Sequence, residues 1–114
     1  MPSPQDSPPD QPLAGYQVLD LSGPLAVYCG KLMADMGARV IKVEPPGGDP
    51  MRNTGPFVDD RPGPERSLHW LHFNTNKQSV TLDLASPGGV RLFRRLAAKS
   101  DLILETFPPG HMDS

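Results

Sequence analysis

The chain has 114 residues, with 11 Lys and Arg against 13 Asp and Glu and a formal net charge of −2. That length holds one domain, and the near-neutral balance argues against nucleic acid or an anionic membrane surface as partner. Cys29 is the one cysteine, so no disulfide forms within the chain, which suits a reducing compartment. No basic-then-apolar leader stands at Met1 to Asp6 and no apolar run is long enough to span a bilayer, so the cytosol is the expected location.

Met1 to Pro12 holds five prolines with Ser, Gln and Asp, too little apolar surface to offset the entropy of ordering it. Residues 1–14 are therefore read as a flexible tail and 15–114 as the folded portion. Tyr16 to Leu21 is a short apolar run closed by Ser22-Gly23-Pro24, which suits a buried strand. Ser22 or Gly23 can cap a following helix, with Pro24 in its first turn. Leu25, Tyr28, Cys29, Leu32, Met33 and Met36 recur at helical spacing as one apolar stripe, expected to face the core. Cys29 on that stripe is expected to be a buried, inert thiol. Gly37 stands where a left-handed C-terminal residue is wanted. Arg39 to Glu44 reads as a second strand stopped by Pro45-Pro46, completing a βαβ unit with a right-handed crossover.

From Pro45 to Arg66 six prolines and four glycines mark a long loop, and long loops in compact domains are often functional. Leu68 to Phe73 fits either a short helix or a strand, and Asn74 to Lys77 a turn. Ser79 to Leu84 reads as a third strand. Ser86-Pro87 is a cap followed by a first-turn proline. Val90, Phe93, Leu96 and Ala97 give the next helix an inner face, and Arg91, Arg94, Arg95 and Lys99 a solvated one. Asp101 to Glu105 is a fourth strand with the near-continuous apolar character of an interior strand. The chain runs only a few residues beyond it, and the expectation is an incomplete large domain. The pattern is α/β: two βαβ units joined by a long loop, forming a parallel sheet.

No G-x-G-x-x-G or G-x-x-x-x-G-K occurs, and Gly47-Gly48 and Gly88-Gly89 suit turns. His69 and His72 meet a metal only if their segment is helical, and no second cluster of Cys, His or Glu completes a metal site. Asp20, Glu44, Asp83 and Glu105 stand at or near strand ends, where open parallel sheets bind ligands, although a solvated carboxylate or helix cap is the commoner role. Arg52 and Lys77, in loops near strand ends, are the candidates for holding an anion.

Several separated segments, taken in order, carry a resemblance. They are Leu13 to Leu21, Ala34-Asp35-Met36-Gly37-Ala38, Val40 to Pro50, Asn74 to Leu84 and Leu102 to Gly110. Together they resemble the N-terminal part of the class III CoA-transferases of the CaiB/BaiF type, which include formyl-CoA transferase and the related α-methylacyl-CoA racemases. The resemblance implies a Rossmann-like large domain that binds CoA, in a homodimer of interlocked chains. It implies an acyl-CoA and a carboxylic acid acceptor as substrates, with CoA a substrate rather than a covalently bound cofactor. An aspartate nucleophile relays the acyl group through a mixed anhydride and an enzyme-bound CoA thioester. That aspartate lies beyond Ser114, so no catalytic residue is assigned here. The resemblance places CoA beside Leu25 and Ala26 after the first strand, and Pro45 after the second. It adds Leu82, Asp83, Leu84 and Ala85 at the end of the third, and Thr106, Phe107 and Pro108 at the end of the fourth. The sequence departs from the family's common pattern at four places. Val27 alone precedes Tyr28-Cys29, where relatives carry Gly-Pro. Ala85, Thr106 and Pro45 stand where lysine, asparagine and arginine are common. A racemase of the same superfamily, moving a proton α to the thioester, and a non-catalytic CoA-binding remnant are the alternative readings.

Overall fold

The structure, a computed structural model, describes residues 11–113. Residues 1–10 of the expected tail lie outside the described residues. Residues 11–14, grouped with that tail by composition, form a turn in which the Leu13 N–H donates to the Met36 carbonyl at 3.0 Å. The Leu13 side chain packs on the core beside Val18 and Val40.

Four parallel strands form one sheet: β1 (Gln17–Leu21), β2 (Arg39–Glu44), β3 (Gln78–Thr81) and β4 (Leu102–Glu105), in the order β3-β2-β1-β4. Three helices connect them: α1 (Val27–Asp35), α2 (Leu68–Phe73) and α3 (Pro87–Ala98). The ambiguous segment before the Asn74 turn is thus helical, with the Ser67 hydroxyl accepting from the Trp70 N–H. The chain winds from β1 outward to β3, then crosses back over β1 to β4, so the strand order reverses at the β1/β4 junction. Such an α/β fold binds ligands outside the carboxyl ends of the strands at that reversal.

Strand alternation sorts the core into two faces. Leu19, Leu21, Ile41 and Val43 face α3, whose Phe93, Leu96 and Ala97 pack on them. Val18 and Val40 face α1, through Met33 and Ala34. The helix α3 forms as its sequence predicts: the Ser86 hydroxyl accepts from the Gly89 N–H, and Pro87 fills the first turn. Gly89 is required there, because a Cβ would lie 1.8 Å from the Asp83 carbonyl oxygen. Arg91, Arg94, Arg95 and Lys99 are exposed.

Three expectations are corrected. Most of the apolar stripe of α1 does not face the core: Leu25 is 90% exposed and Tyr28, Leu32 and Met36 are also exposed, while Met33, alone of the stripe, packs on Val18 and Val40; Cys29, expected to be buried, is exposed as well. The helix's buried residues are Val27, which packs with Met51 and Trp70, and Gly30, which lies against the buried charges of Asp20 and Lys77. The third strand stops at Thr81 rather than Leu84, since Thr81 pairs with Glu44, the last residue of β2. Beyond these, the fourth strand lies outermost among the described residues, where its apolar Leu102 and Ile103 are exposed. No helix among the described residues is long and apolar enough to cross a membrane.

Candidate functional site

The carboxyl ends of the strands open into two adjoining clefts. The first, of about 410 Å³, lies at the β1/β4 reversal and is bounded by Ser22 and Gly23 after β1 and by Thr106 and Phe107 after β4. Its outer wall is Asp49, Met51 and Thr54 from the long loop, with His69 from α2. The second, of about 300 Å³, runs from Glu44 and Pro45 after β2 to Leu82, Asp83, Leu84 and Ala85 after β3. Leu21, Val43, Pro45 and Phe107 line both. The Gly23 N–H donates to Thr106 Oγ1 at 2.8 Å, tying the ends of β1 and β4 together across the reversal.

Of the residues assigned to CoA by resemblance, Pro45, Leu82, Asp83, Leu84, Ala85, Thr106 and Phe107 line these clefts. Leu25, Ala26 and Pro108 line neither. Leu25 and Ala26 sit in the turn that leads from the first cleft into α1. Asp83 also shapes its own turn, Oδ1 accepting from the Ala85 N–H at 3.0 Å. Glu105 is exposed and accepts from the Phe107 N–H at 2.8 Å. Among the described residues no Lys or Arg lines either cleft.

The two candidate anion holders do not point into solvent. Lys77 Nζ, 1% exposed, donates to Asp20 Oδ2 at 2.6 Å, to Asn74 Oδ1 at 3.0 Å and to the Val27 carbonyl at 3.1 Å. Arg52 embraces Glu44, Nε to Oε1 at 2.7 Å and Nη2 to Oε2 at 2.9 Å, while its guanidinium lies 4.0 Å over the Trp70 ring. Both cations are occupied because buried carboxylates need them. Asp20 and Glu44 are correspondingly not the solvated carboxylates expected: they are 0% and 3% exposed.

Asp20 and Lys42 are register neighbours on β1 and β2, their charged groups 3.5 Å apart. Lys42 also faces Asp49 at 3.6 Å. Burial pushes the Asp20 carboxyl up, but the Lys42 charge and the hydrogen bonds from Lys77 and Ser22 outweigh it and hold it below the usual range. Burial likewise raises Glu44, yet hydrogen bonds from Arg52, Ser79 and the Asp49 N–H bring it down to about 2. No buried side-chain polar atom among the described residues lacks a partner. The clefts thus stand on a fully satisfied ionic floor. His69 and His72 each pack edge-on against Phe73, and among the described residues no group of His, Cys, Asp and Glu gathers as a metal site.

The sequence reading missed Ser22, Gly23, Asp49, Met51, Thr54 and His69 as cleft walls. The loop and α2 residues carry no periodicity, and only the folded chain brings them over the strand ends.

Comparison with known proteins matches this arrangement to one family. The sequence model described as CoA-transferase family III matches residues 13–114. Succinyl-CoA–D-citramalate CoA-transferase of Chloroflexus aurantiacus is 46% identical over 107 residues, covering 92% of this chain and 26% of the relative. A subunit of succinyl-CoA:(R)-benzylsuccinate CoA-transferase of Thauera aromatica is 39% identical over 103 residues, covering 90% and 25%. The crystal structure of a CaiB/BaiF family protein from Brucella suis superposes with a TM-score of 0.79 at 40% identity, over 90% of this chain and 28% of that one. The chain spans about a quarter of the length of the curated relatives it matches.

Proposed function

The chain belongs to CoA-transferase family III, and from that premise we propose that it forms part of the CoA site of an enzyme that moves CoA between carboxylic acids. The observation that carries the reading is the position of the two clefts. They lie at the carboxyl ends of a parallel sheet, at its strand-order reversal, which is where open α/β sheets take nucleotide-like ligands. Pro45, Leu82, Asp83, Leu84, Ala85, Thr106 and Phe107 are proposed to contact CoA there, with Leu25, Ala26 and Pro108 at the rim. The mostly apolar walls suit the neutral pantetheine arm and the acyl chain. The diphosphate, a strong acceptor of charge-assisted hydrogen bonds, then lies outside the two clefts, neither of which a Lys or Arg among the described residues lines.

The described residues bind and orient. The nucleophilic carboxylate of the covalent relay is proposed to come from outside them, as is the acceptor site. The whole protein is proposed to act in the cytosol as an interlocked homodimer. Calorimetric titration of CoA, with acyl-CoA turnover assayed in the same preparation, tests the reading. The 114-residue chain is expected to bind CoA saturably without turnover, and the full-length protein to bind and turn over. A full-length protein that neither binds CoA nor transfers it would refute the proposal.

A further inference from the structure

Asp20 is fully buried, and Lys42 and Lys77 are each 1% exposed. Three buried charges are a poor way to stabilise a sheet, since apolar residues of similar volume commonly do as well or better. Two of the charges, Asp20 and Lys42, share Ser22. Asp20 Oδ1 accepts from the Ser22 N–H at 2.9 Å and from the Ser22 hydroxyl, and Lys42 Nζ donates to the Ser22 carbonyl. Every polar group of Ser22 is therefore bonded to a buried ion. Lys77 neutralises the second oxygen of Asp20 and, through the Val27 carbonyl, holds the start of α1. The segment from Ser22 to Val27 is gripped at both ends by one cluster.

Within the segment, the Ala26 and Val27 N–H groups donate to the Gly23 carbonyl at 3.2 and 3.1 Å, which closes a turn but does not tie it to the sheet. The helix begins after Ala26 with no side-chain cap, Pro24 to Ala26 form a turn, and the Gly23 N–H reaches Thr106. The helix is also shaped around the cluster: a Cβ on Gly30 would lie 2.5 Å from Asp20 Oδ2 and 3.1 Å from Lys77 Nζ. Through Asp49, Lys42 reaches the outer wall of the first cleft as well.

We infer that Asp20, Lys42 and Lys77 are positioning residues, a buried ion cluster that fixes the backbone from Ser22 to Val27, and with it the Ser22-Gly23-Pro24 wall of the first cleft, in the form a CoA ester needs. For its ligand the inference rests on the proposed CoA reading; for the segment it rests on geometry alone.

Two double variants of the full-length protein test it. Asp20→Leu with Lys77→Met removes one pair as a neutral unit, takes away the acceptor of Ser22, and leaves Lys42 balanced by Asp49. Asp20→Asn with Lys77→Met removes the same charges but keeps an amide oxygen for Ser22. Hydrogen–deuterium exchange, thermal melting and CoA titration are read on both. The first variant is expected to speed exchange over residues 22–27 by about tenfold relative to β1 and β2 and to raise the CoA Kd about tenfold. The second is expected to recover most of both. A folded first variant with wild-type protection over 22–27 and wild-type CoA Kd would overturn the inference. So would exchange that rises evenly across the sheet, which is a plain loss of stability. Should the first variant not fold, Lys42→Met with Asp49→Asn frees the Ser22 carbonyl from the other side, and the same readouts decide. If the wild-type protein binds no CoA, the CoA reading fails by itself, and the exchange comparison alone decides whether the cluster positions the segment.

Discussion

Glu44 and Arg52 show how a buried charge is made tolerable in this fold. The carboxylate, 3% exposed, takes two guanidinium bonds together with the Ser79 hydroxyl and the Asp49 N–H. Removing the cation strands the anion, so Arg52→Leu is expected to cost about 3–5 kcal/mol, read as a fall in the denaturation midpoint. The pH dependence follows from the same contacts. The folded-state value of about 2 lies below the ordinary 4.5, so the unfolded chain binds the proton more readily. The contribution is complete above about pH 4.5 and disappears as pH falls through about 2. It amounts to roughly 2–3 kcal/mol. Denaturation midpoints measured from pH 5 down to pH 2 should decline in the wild type and lose much of that slope in Arg52→Leu. Equal slopes in the two proteins would contradict this account of Glu44.

At the scale of elements, α1 decides between propensity and geometry. Alanine is favoured over glycine inside a helix by about 1 kcal/mol, yet at Gly30 the added methyl meets Asp20 and Lys77. Overpacking of that kind costs about 1–3 kcal/mol, so Gly30→Ala should lower the melting midpoint; a rise would mean the cluster yields freely. The same helix shows what the sequence could tell. The four strands and α3 were legible because short apolar runs bounded by Gly, Pro or turn residues, and a Ser-Pro cap ahead of a helically spaced apolar face, are local signals. The inner face of α1 was not, because counting apolar residues assumes an apolar core beneath throughout, and at Gly30 the floor is Asp20 and Lys77. A trace of it was present. Lys42 stands between Ile41 and Val43 in a strand, on the same side of the sheet as Asp20 in the neighbouring strand. The charge flanked by apolar strand residues, Lys42 here and Asp20 between Leu19 and Leu21, is the part readable in sequence; the register that pairs them is not. The residues placed on the clefts by resemblance came from motifs at strand ends. His69, Asp49 and Met51 could not be reached that way, because their place depends on how a proline-rich loop folds back.

For the whole molecule, the central claim is that CoA occupies the carboxyl end of the sheet at the β1/β4 reversal. Other surfaces offer different chemistry. The outer face of α3 carries Arg91, Arg94, Arg95 and Lys99, all exposed, and is the obvious rival for a polyanion. The amino end of the sheet carries an apolar groove between Leu13, Met33 and Leu102. Local protection separates these directly. Hydrogen–deuterium exchange of the protein with and without saturating CoA should show protection over residues 21–26, 45–51, 82–85 and 106–108, and none over α3. Protection confined to α3, or to the amino end of the sheet, would contradict the account.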